Sequence, residues 1–199
     1  MFKIKDNPQL QSINFSNLKF CSDLNIFACP SLNSIDLSSL IYLTGSDPTI
    51  ADTKLTTLNL NSLSYANQFS LLRNNLLTNV SLPSLNRADY IRLSENSQLL
   101  SVSMPALNSV QSIFINNNSN LSSIDISNLQ NLGFIANFIS NKLSSTQINT
   151  LINKFVNISP ALTGKSFSFQ NQNPPAPPTG QGLINKATLI SKGNSVTTD

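Results

Sequence analysis

The sequence predicts a mainly β fold, a right-handed β-solenoid of about six to seven coils of 22 residues with a helical C-terminal cap. Three observations lead to this prediction. One apolar pattern recurs every 22 residues, apolar residues alternate within each half of that repeat, and the periodicity changes after Leu143. Fixed repeats of 20 to 50 residues are typical of solenoids, in which each repeat packs only on its neighbours.

The first half of the repeat reads Leu, two residues, apolar, one residue, apolar, two residues, Leu. It begins at Leu10 with Ile13, Phe15 and Leu18, and it recurs from positions 32, 55, 77, 99 and 121. The two-residue alternation at its centre has the period of a β-strand. Each coil is therefore expected to hold a short strand in this half.

The second half reads apolar, any, apolar, two residues, Asn, two residues, Leu. Ile91, Leu93, Asn96 and Leu99 form one example. This alternation predicts a second strand in each coil, stacked in parallel on its equivalents about 4.8 Å away. One coil buries too little apolar surface to offset the entropy of ordering its residues, so only the stack is stable.

The Asn position of this pattern predicts a structural ladder at one turn of the solenoid. A buried Asn there can bond free main-chain groups of its own and the next coil. The predicted ladder is Asn7, Cys29, Asp52, Asn74, Asn96, Asn118 and Ser140. Cys21 falls at an inward position like that of Ala66 and Ala88, so both cysteines are expected to be free, buried thiols.

The segments IRLSENSQLLSVSMPALNSV and IFINNNSNLSSIDISNLQNL resemble leucine-rich repeats. More narrowly, they are similar to the two-stranded coils of receptor L-domains and of bacterial cell-surface leucine-rich proteins. The resemblance covers roughly residues 2–143 and implies a binding protein, although these families bind proteins and glycans of many kinds. The tail QNQNPPAPPTGQGLINKATLISKGNSVTTD resembles tails on leucine-rich proteins of bacteria and their phages.

The chain is predicted to divide into a repeat region and three C-terminal segments. The solenoid occupies residues 1–143. Residues 144–172 form a cap in which Ile148, Leu151, Ile152 and Phe155 lie on one helical face, Ser144 or Ser145 caps the helix, and a last strand follows. Residues 173–182 read as a Pro-rich linker, and residues 183–199 as a C-terminal appendage.

The two outer faces of the solenoid are expected to differ. Short polar residues such as Ser34, Asp36 and Ser38 face outward on the first strand, either as a solvated surface or as a platform for glycan hydroxyls. On the second strand the outward residues form one apolar patch, which is typical of an interface unless the C-terminal segment covers it. The predicted binding residues are Leu72, Tyr90, Arg92, Phe114, Phe134 and Phe138.

Composition argues against several classes of function. The chain has no His, which removes Ser-His-Asp triads and His metal sites. Its nine acids form no strong pair, although Asp47 and Asp52 lie in a segment, residues 44–54, that must bulge from the third coil. We therefore expect no enzyme activity, no cofactor and no metal. The twelve scattered bases and the absence of a long apolar run predict no nucleic-acid binding and no membrane insertion.

These observations favour a non-catalytic recognition or adhesion module that binds a host-surface glycan or protein. The expected location is a phage virion, because the N-terminus lacks the apolar stretch of a signal peptide, with a bacterial cell surface as the alternative. A purely structural virion subunit that associates with itself or another protein is a second hypothesis, in which an uncapped N-terminal edge is covered by a partner. A polysaccharide-degrading enzyme on a β-helix is a distant third.

Overall fold

The computed structural model describes all residues from 1 to 199 and is a parallel β-solenoid of about six turns with two helices. In chain order the elements are β1 (Phe2–Lys5), β2 (Ser12–Asn14), β3 (Phe20–Cys21), β4 (Leu24–Phe27), β5 (Ser34–Asp36), β6 (Tyr42–Leu43), β7 (Thr49–Ala51), β8 (Tyr65–Leu72), β9 (Asn79–Ser81), β10 (Arg87–Ser94), β11 (Ser101–Ser103), β12 (Ser109–Asn116), β13 (Ser123–Asp125), β14 (Asn131–Asn137), α1 (Ser145–Val156), β15 (Ser166–Ser168), α2 (Gln181–Ser191) and β16 (Ser195–Thr197). The predicted mainly β solenoid is confirmed.

One long sheet of eleven strands runs the length of the molecule, from β1 at one edge to β16 at the other. Every strand pairing in it is parallel. β8, β10 and β12 each span eight residues. In the third coil the same length of chain is split into β6 and β7, and residues 44–48 form a bulge between them. The sequence predicted a bulge over residues 44–54, but residues 49–51 of that segment form β7 within the sheet.

The other side of the solenoid carries short three-residue strands. β9, β11 and β13 form one small sheet, and β2 and β5 form another. Between these two sheets, the third coil makes only a single bridge, from Asp36 to Asn59. The short-strand side is therefore interrupted at the coil that also carries the bulge.

A single core of 49 buried residues fills the space between the two sides, from Cys21 to Val196. The Leu positions of the repeat lie in it, with Leu32, Leu77 and Leu99 fully buried. Cys21 and Cys29 are both buried and free, as predicted. The repeat is therefore a packing unit, since each Leu contacts the equivalent layers above and below.

The C-terminal region continues the solenoid. β15 pairs with β14, and β16 pairs with β15, so both strands extend the long sheet. α1 and α2 take the place of short strands in these last turns, and Ser144 caps α1 by accepting a hydrogen bond from Gln147 N–H at 3.2 Å. The predicted linker, residues 173–182, lies in the connection that leads from β15 into α2, and the predicted appendage, residues 183–199, contains most of α2 and all of β16.

Candidate recognition surface

The central residues of the predicted ladder are buried and connect successive coils. The Oδ1 of Asn96 accepts a hydrogen bond from Asn74 N–H at 2.9 Å, and its Nδ2 donates to Leu71 O at 3.1 Å and Ser94 O at 3.2 Å. Asn118 repeats the pattern one coil further on, accepting from Asn96 N–H at 3.0 Å. These amides satisfy main-chain groups that the turn would otherwise leave unpaired in the core.

Asp52 and Ser140 do not occupy the ladder, so their assignment to it was wrong. Each lies one residue before the ladder position, which is filled by Thr53 and Asn141. The cause is a longer spacing in these two coils: Thr53 follows Cys29 by 24 residues and Asn141 follows Asn118 by 23, instead of 22. Asp52 instead accepts two hydrogen bonds from the Arg73 guanidinium, at 2.7 and 2.8 Å, in a partly exposed ion pair.

The residue before each ladder position has left-handed backbone geometry. This conformation is uncommon outside glycine, and here it recurs once per turn. The residues are Asp6, Ala28, Asp52, Arg73, Glu95, Asn117, Ser140 and Asn171. The recurrence defines the turn that aims each ladder side chain into the core.

The ends of the ladder vary in chemistry. Asn7 is exposed, and its Nδ2 donates to Lys5 O at 2.7 Å, whereas the buried Cys29 thiol donates weakly to Phe27 O at 3.5 Å. Beyond Asn141 the ladder continues to Gln172 and then to Asp199, which accepts from Gln172 N–H at 3.0 Å. The sequence pattern missed these last two members because α1 lengthens the turn that precedes Gln172.

Part of the predicted apolar patch forms on the outward face of the long sheet. The rings of Tyr90 and Phe114 lie 5.1 Å apart and are half-buried. Arg92 is exposed and pairs in register with Phe114, so it lies beside these rings. Leu72 pairs with Ser94 on the neighbouring strand and is half-buried.

Phe134 lies further along the same face, where the pairing of β12 with β14 shifts by one residue. Its side chain is 64% exposed, because the extra residue turns it out of the alternation. The Lys165 ammonium lies 5.9 Å from the centre of the ring and donates to Gly133 O at 2.6 Å. Phe134 is therefore an accessible ring with a cation beside it.

Phe138 is not part of the patch, so the prediction that it faces outward was wrong. It is fully buried and contacts the rings of Phe155 and Phe169 in the core. The extra residue that exposes Phe134 shifts the in-and-out alternation by one position. Ala136 in β14 and Phe138 just after it therefore point inward. Phe138 thus joins the core beneath α1, in which Phe155 is also buried.

Three further outward aromatic residues lie at the N-terminal end of this face and were not predicted from the sequence. Phe20, Tyr42 and Tyr65 pair in register on three successive coils. The rings of Phe20 and Tyr42 stack 5.3 Å apart with their planes 6° from parallel, and these side chains are 66% and 40% exposed. The sequence contains a signal for this set: the three aromatic residues are spaced by 22 and 23 residues, and each directly precedes an inward residue such as Cys21.

Together these side chains give one outward aromatic residue per coil over six successive coils. We refer to this set as the aromatic row. It consists of Phe20, Tyr42, Tyr65, Tyr90, Phe114 and Phe134. With strands about 4.8 Å apart, five steps give a length of about 24 Å along the solenoid axis. The row is in register only from Phe20 to Tyr65. Tyr90 pairs with Gln68, three residues beyond Tyr65, and Phe114 pairs with Arg92, two residues beyond Tyr90, so the later members are stepped along the strands.

Three cations accompany the aromatic row. Arg87 pairs in register with Tyr65 and forms an exposed ion pair with Asp89 at 3.4 Å. Lys165 lies beside Phe134. Arg92 takes part in none of the three ion pairs of the protein, so its guanidinium is free to bind an anion.

The gap in the short-strand side forms a shallow polar cleft. Hydroxyls, amides and one carboxylate line it, contributed by Asn33, Ser34, Asp36, Ser38, Thr57 and Asn59, together with the apolar Ile35. Hydrogen bonds from Ser38, first from its hydroxyl and then from its main-chain N–H, lower the pKa of Asp36. This cleft is the part of the predicted polar platform that has a concave shape.

Comparison with protein-family models, with curated protein sequences and with solved structures gives no match. Neither helix is long and apolar enough to cross a membrane. No three residues of the His, Cys, Asp and Glu types come together in a possible metal-binding group. The aromatic row and the polar cleft are the two candidate functional surfaces of the protein.

Proposed function

We propose that the protein is a non-catalytic recognition or adhesion module of a phage virion or a bacterial surface, and that it binds a host-surface glycan or protein along the aromatic row. One observation carries the proposal: six successive coils each present one aromatic side chain on the same outward face. Exposed apolar patches of this kind mark interaction sites. The resemblance to leucine-rich proteins of bacteria and their phages supports the proposed location.

The shape of the row favours a linear ligand over a folded protein. The row extends about 24 Å along the solenoid axis and runs obliquely across the strands after Tyr65. The polar residue Asn137 lies in register with Phe114, whereas Ser70, in register with Arg92, is buried. A stable protein interface needs about 800 Å² from each partner, whereas an extended chain can follow a single line of side chains.

The chemistry of the row favours a polysaccharide that carries carboxylates. A guanidinium can bind a carboxylate with two parallel hydrogen bonds, and Arg92 has no acidic partner of its own. The Asn137 side chain, which is half-buried in register with Phe114, offers a donor and an acceptor to sugar hydroxyls. Three cations, one of them already paired with Asp89, are few for a nucleic-acid backbone, which specific binders neutralise at many phosphates.

The test is equilibrium binding of the full chain to three polymers. The probes are alginate, which has a carboxylate on every sugar, dextran, which is uncharged, and single-stranded oligo-dT. We expect binding to alginate that weakens with added salt, and weaker binding to the other two. Arg92→Gln and Phe114→Ser should each weaken alginate binding, whereas Leu100→Ser, a matched change at an exposed apolar residue outside the row, should not.

Three outcomes would overturn this proposal. Binding to none of the polymers would contradict the proposal that the ligand is a carboxylate-bearing polysaccharide. Equal binding to dextran would show that the cations play no part, and tighter binding to oligo-dT would reassign the row to nucleic acid. Alginate binding that Phe114→Ser leaves unchanged would place the site elsewhere, with the polar cleft at Asp36 as the next surface to test.

A further inference from the structure

The two ends of the solenoid are complementary to each other. We propose that copies of this chain associate head to tail, with the C-terminal end of one copy, formed by β16 and α2, packed on the N-terminal end of the next, formed by β1 and β2. This proposal does not depend on the ligand of the aromatic row. Only Phe20 of that row lies in the first coil, in β3, and the proposed contacts are made by β1 and β2.

The C-terminal end exposes an apolar helix face. α2 packs on α1 through Gly182 and Asn185, whose Nδ2 donates to Asn153 Oδ1 at 3.1 Å, and it buries Leu189. On the side away from α1, Leu183 is 55%, Ile184 is 59% and Ile190 is 47% exposed. An amphipathic helix normally turns its apolar side to the core, so α2 presents a surface that a partner would cover.

The N-terminal end exposes the inner side of a coil. Phe2, Ile4, Leu10, Ile13, Phe15 and Leu18 occupy the inward positions of the first coil, but none is fully buried. Their equivalents one coil later are at most 5% exposed: Leu24, Ile26, Leu32, Ile35, Leu37 and Leu40. The difference arises because the second coil is covered on both sides and the first on one side only. A further layer of structure would complete the burial.

The main-chain groups at the two ends match as well. β1 and β16 are the two edges of the same long sheet, and each has one side without a paired strand. In the ladder, the main-chain N–H of one member donates to the Oδ1 of the next, as from Asn74 to Asn96. The N–H of Asp199 and the Oδ1 of Asn7 have no partner within the chain, and they are the donor and the acceptor that this pattern requires.

The fold favours a head-to-tail arrangement over a two-fold dimer. A copy stacked along the solenoid axis presents β1 parallel to β16, and every strand pair within the chain is parallel. It also places β2 against α2, as β13 already lies against α1 through the Gln147 side chain, which donates to Ile124 O at 2.8 Å. A two-fold arrangement would pair β16 with itself in the antiparallel direction and leave Asn7 without a donor. Head-to-tail contacts do not close, so they produce linear chains.

The experiment is sedimentation velocity of the full chain over a wide concentration range. We expect the average mass of the unmodified protein to rise past that of a dimer without reaching a plateau. Ile190→Asp at the C-terminal end and Phe2→Asp at the N-terminal end should each weaken association by about tenfold or more. The matched control is Leu76→Asp, which changes an exposed apolar residue in the middle of the solenoid and should leave association unchanged.

Mixing the two end variants distinguishes head-to-tail association from a two-fold dimer. Each variant keeps one intact end, so an equimolar mixture should form a dimer and stop there, whereas each variant alone should associate about tenfold or more weakly than the unmodified protein. A dimer that Phe2→Asp leaves intact would indicate two-fold pairing of the C-terminal ends and would overturn the proposal. A monomer at every concentration, or an equal loss of association in Leu76→Asp, would also overturn it. Circular dichroism of each variant shows whether it is folded.

Discussion

At the scale of the residue, Asn96 shows how the turns of the solenoid are stabilised. Its side chain is fully buried, accepts one hydrogen bond from the coil before it, and donates to main-chain carbonyls on two coils. No buried side-chain polar atom in the protein lacks a hydrogen-bond partner. Since a buried unpaired group costs much more than an average hydrogen bond contributes, the ladder constrains the fold strongly.

Replacing Asn96 with Ala should therefore destabilise the protein substantially. The change leaves Asn74 N–H without its acceptor and Leu71 O without its side-chain donor, and we expect a loss of about 2–4 kcal/mol in the free energy of unfolding. Urea unfolding measures this loss of free energy, and the slope of the unfolding free energy against urea concentration should be unchanged. Asn33→Ala, at an exposed Asn whose side chain makes no hydrogen bond, is the control, and an equal loss there would contradict the role of the ladder.

The carboxyl group of Asp36 provides a second test at this scale. Ser38 lowers its pKa mainly through the side-chain hydroxyl. A lowered pKa in the folded state contributes stability above the unfolded value of about 3.9, and this contribution is lost as the pH falls through the folded pKa. Ser38→Ala should raise the pKa of Asp36 in an NMR titration, whereas Ser39→Ala should not. An unchanged value in Ser38→Ala would assign the effect to the main-chain N–H.

At the scale of the element, the repeat predicts the strands but not their insertions. Leu, Ile and Val at alternating positions locate β8, β10 and β12, because one side of each strand must be buried. Asp52 and Ser140 were misplaced by one position, and Phe138 was turned outward, since an added residue changes direction without changing the apolar pattern. The strands of the C-terminal turns, β15 and β16, were separated by helices and so lay outside the 22-residue period.

The bulge before β7 gives a prediction for the third coil. A Cβ atom on Gly45 would overlap the main-chain oxygen of Ser22, so the two coils would have to move apart. Gly45→Ala should lower the free energy of unfolding by about 1–3 kcal/mol, as overpacking does. Thermal or urea unfolding measures the change against Ser46→Ala, an exposed neighbour. Equal stability of the two variants would mean that the bulge adjusts freely.

At the scale of the whole molecule, stacking repeats one outward aromatic residue per coil, in register over the first three coils and stepped along the strands after Tyr65. Phe20, Tyr42 and Tyr65 line up because their strands pair in register, and Phe114 and Phe134 continue the row on later coils. Half of the row, Tyr90, Phe114 and Phe134, was predicted from the sequence. The other half required knowing that β3, β6 and β8 lie side by side despite the bulge.

A ligand that contacts the whole aromatic row must be long enough to span it. The most direct test is the affinity of the protein for alginate fragments of increasing length, measured by calorimetry. Affinity should rise with each added sugar until the extended fragment spans about 24 Å, and then level off. The double variant Tyr42→Ser and Phe114→Ser should lose most of this gain, whereas Leu76→Ser with Leu100→Ser should keep it. If the shortest fragment binds as tightly as the longest, the row is not the binding surface.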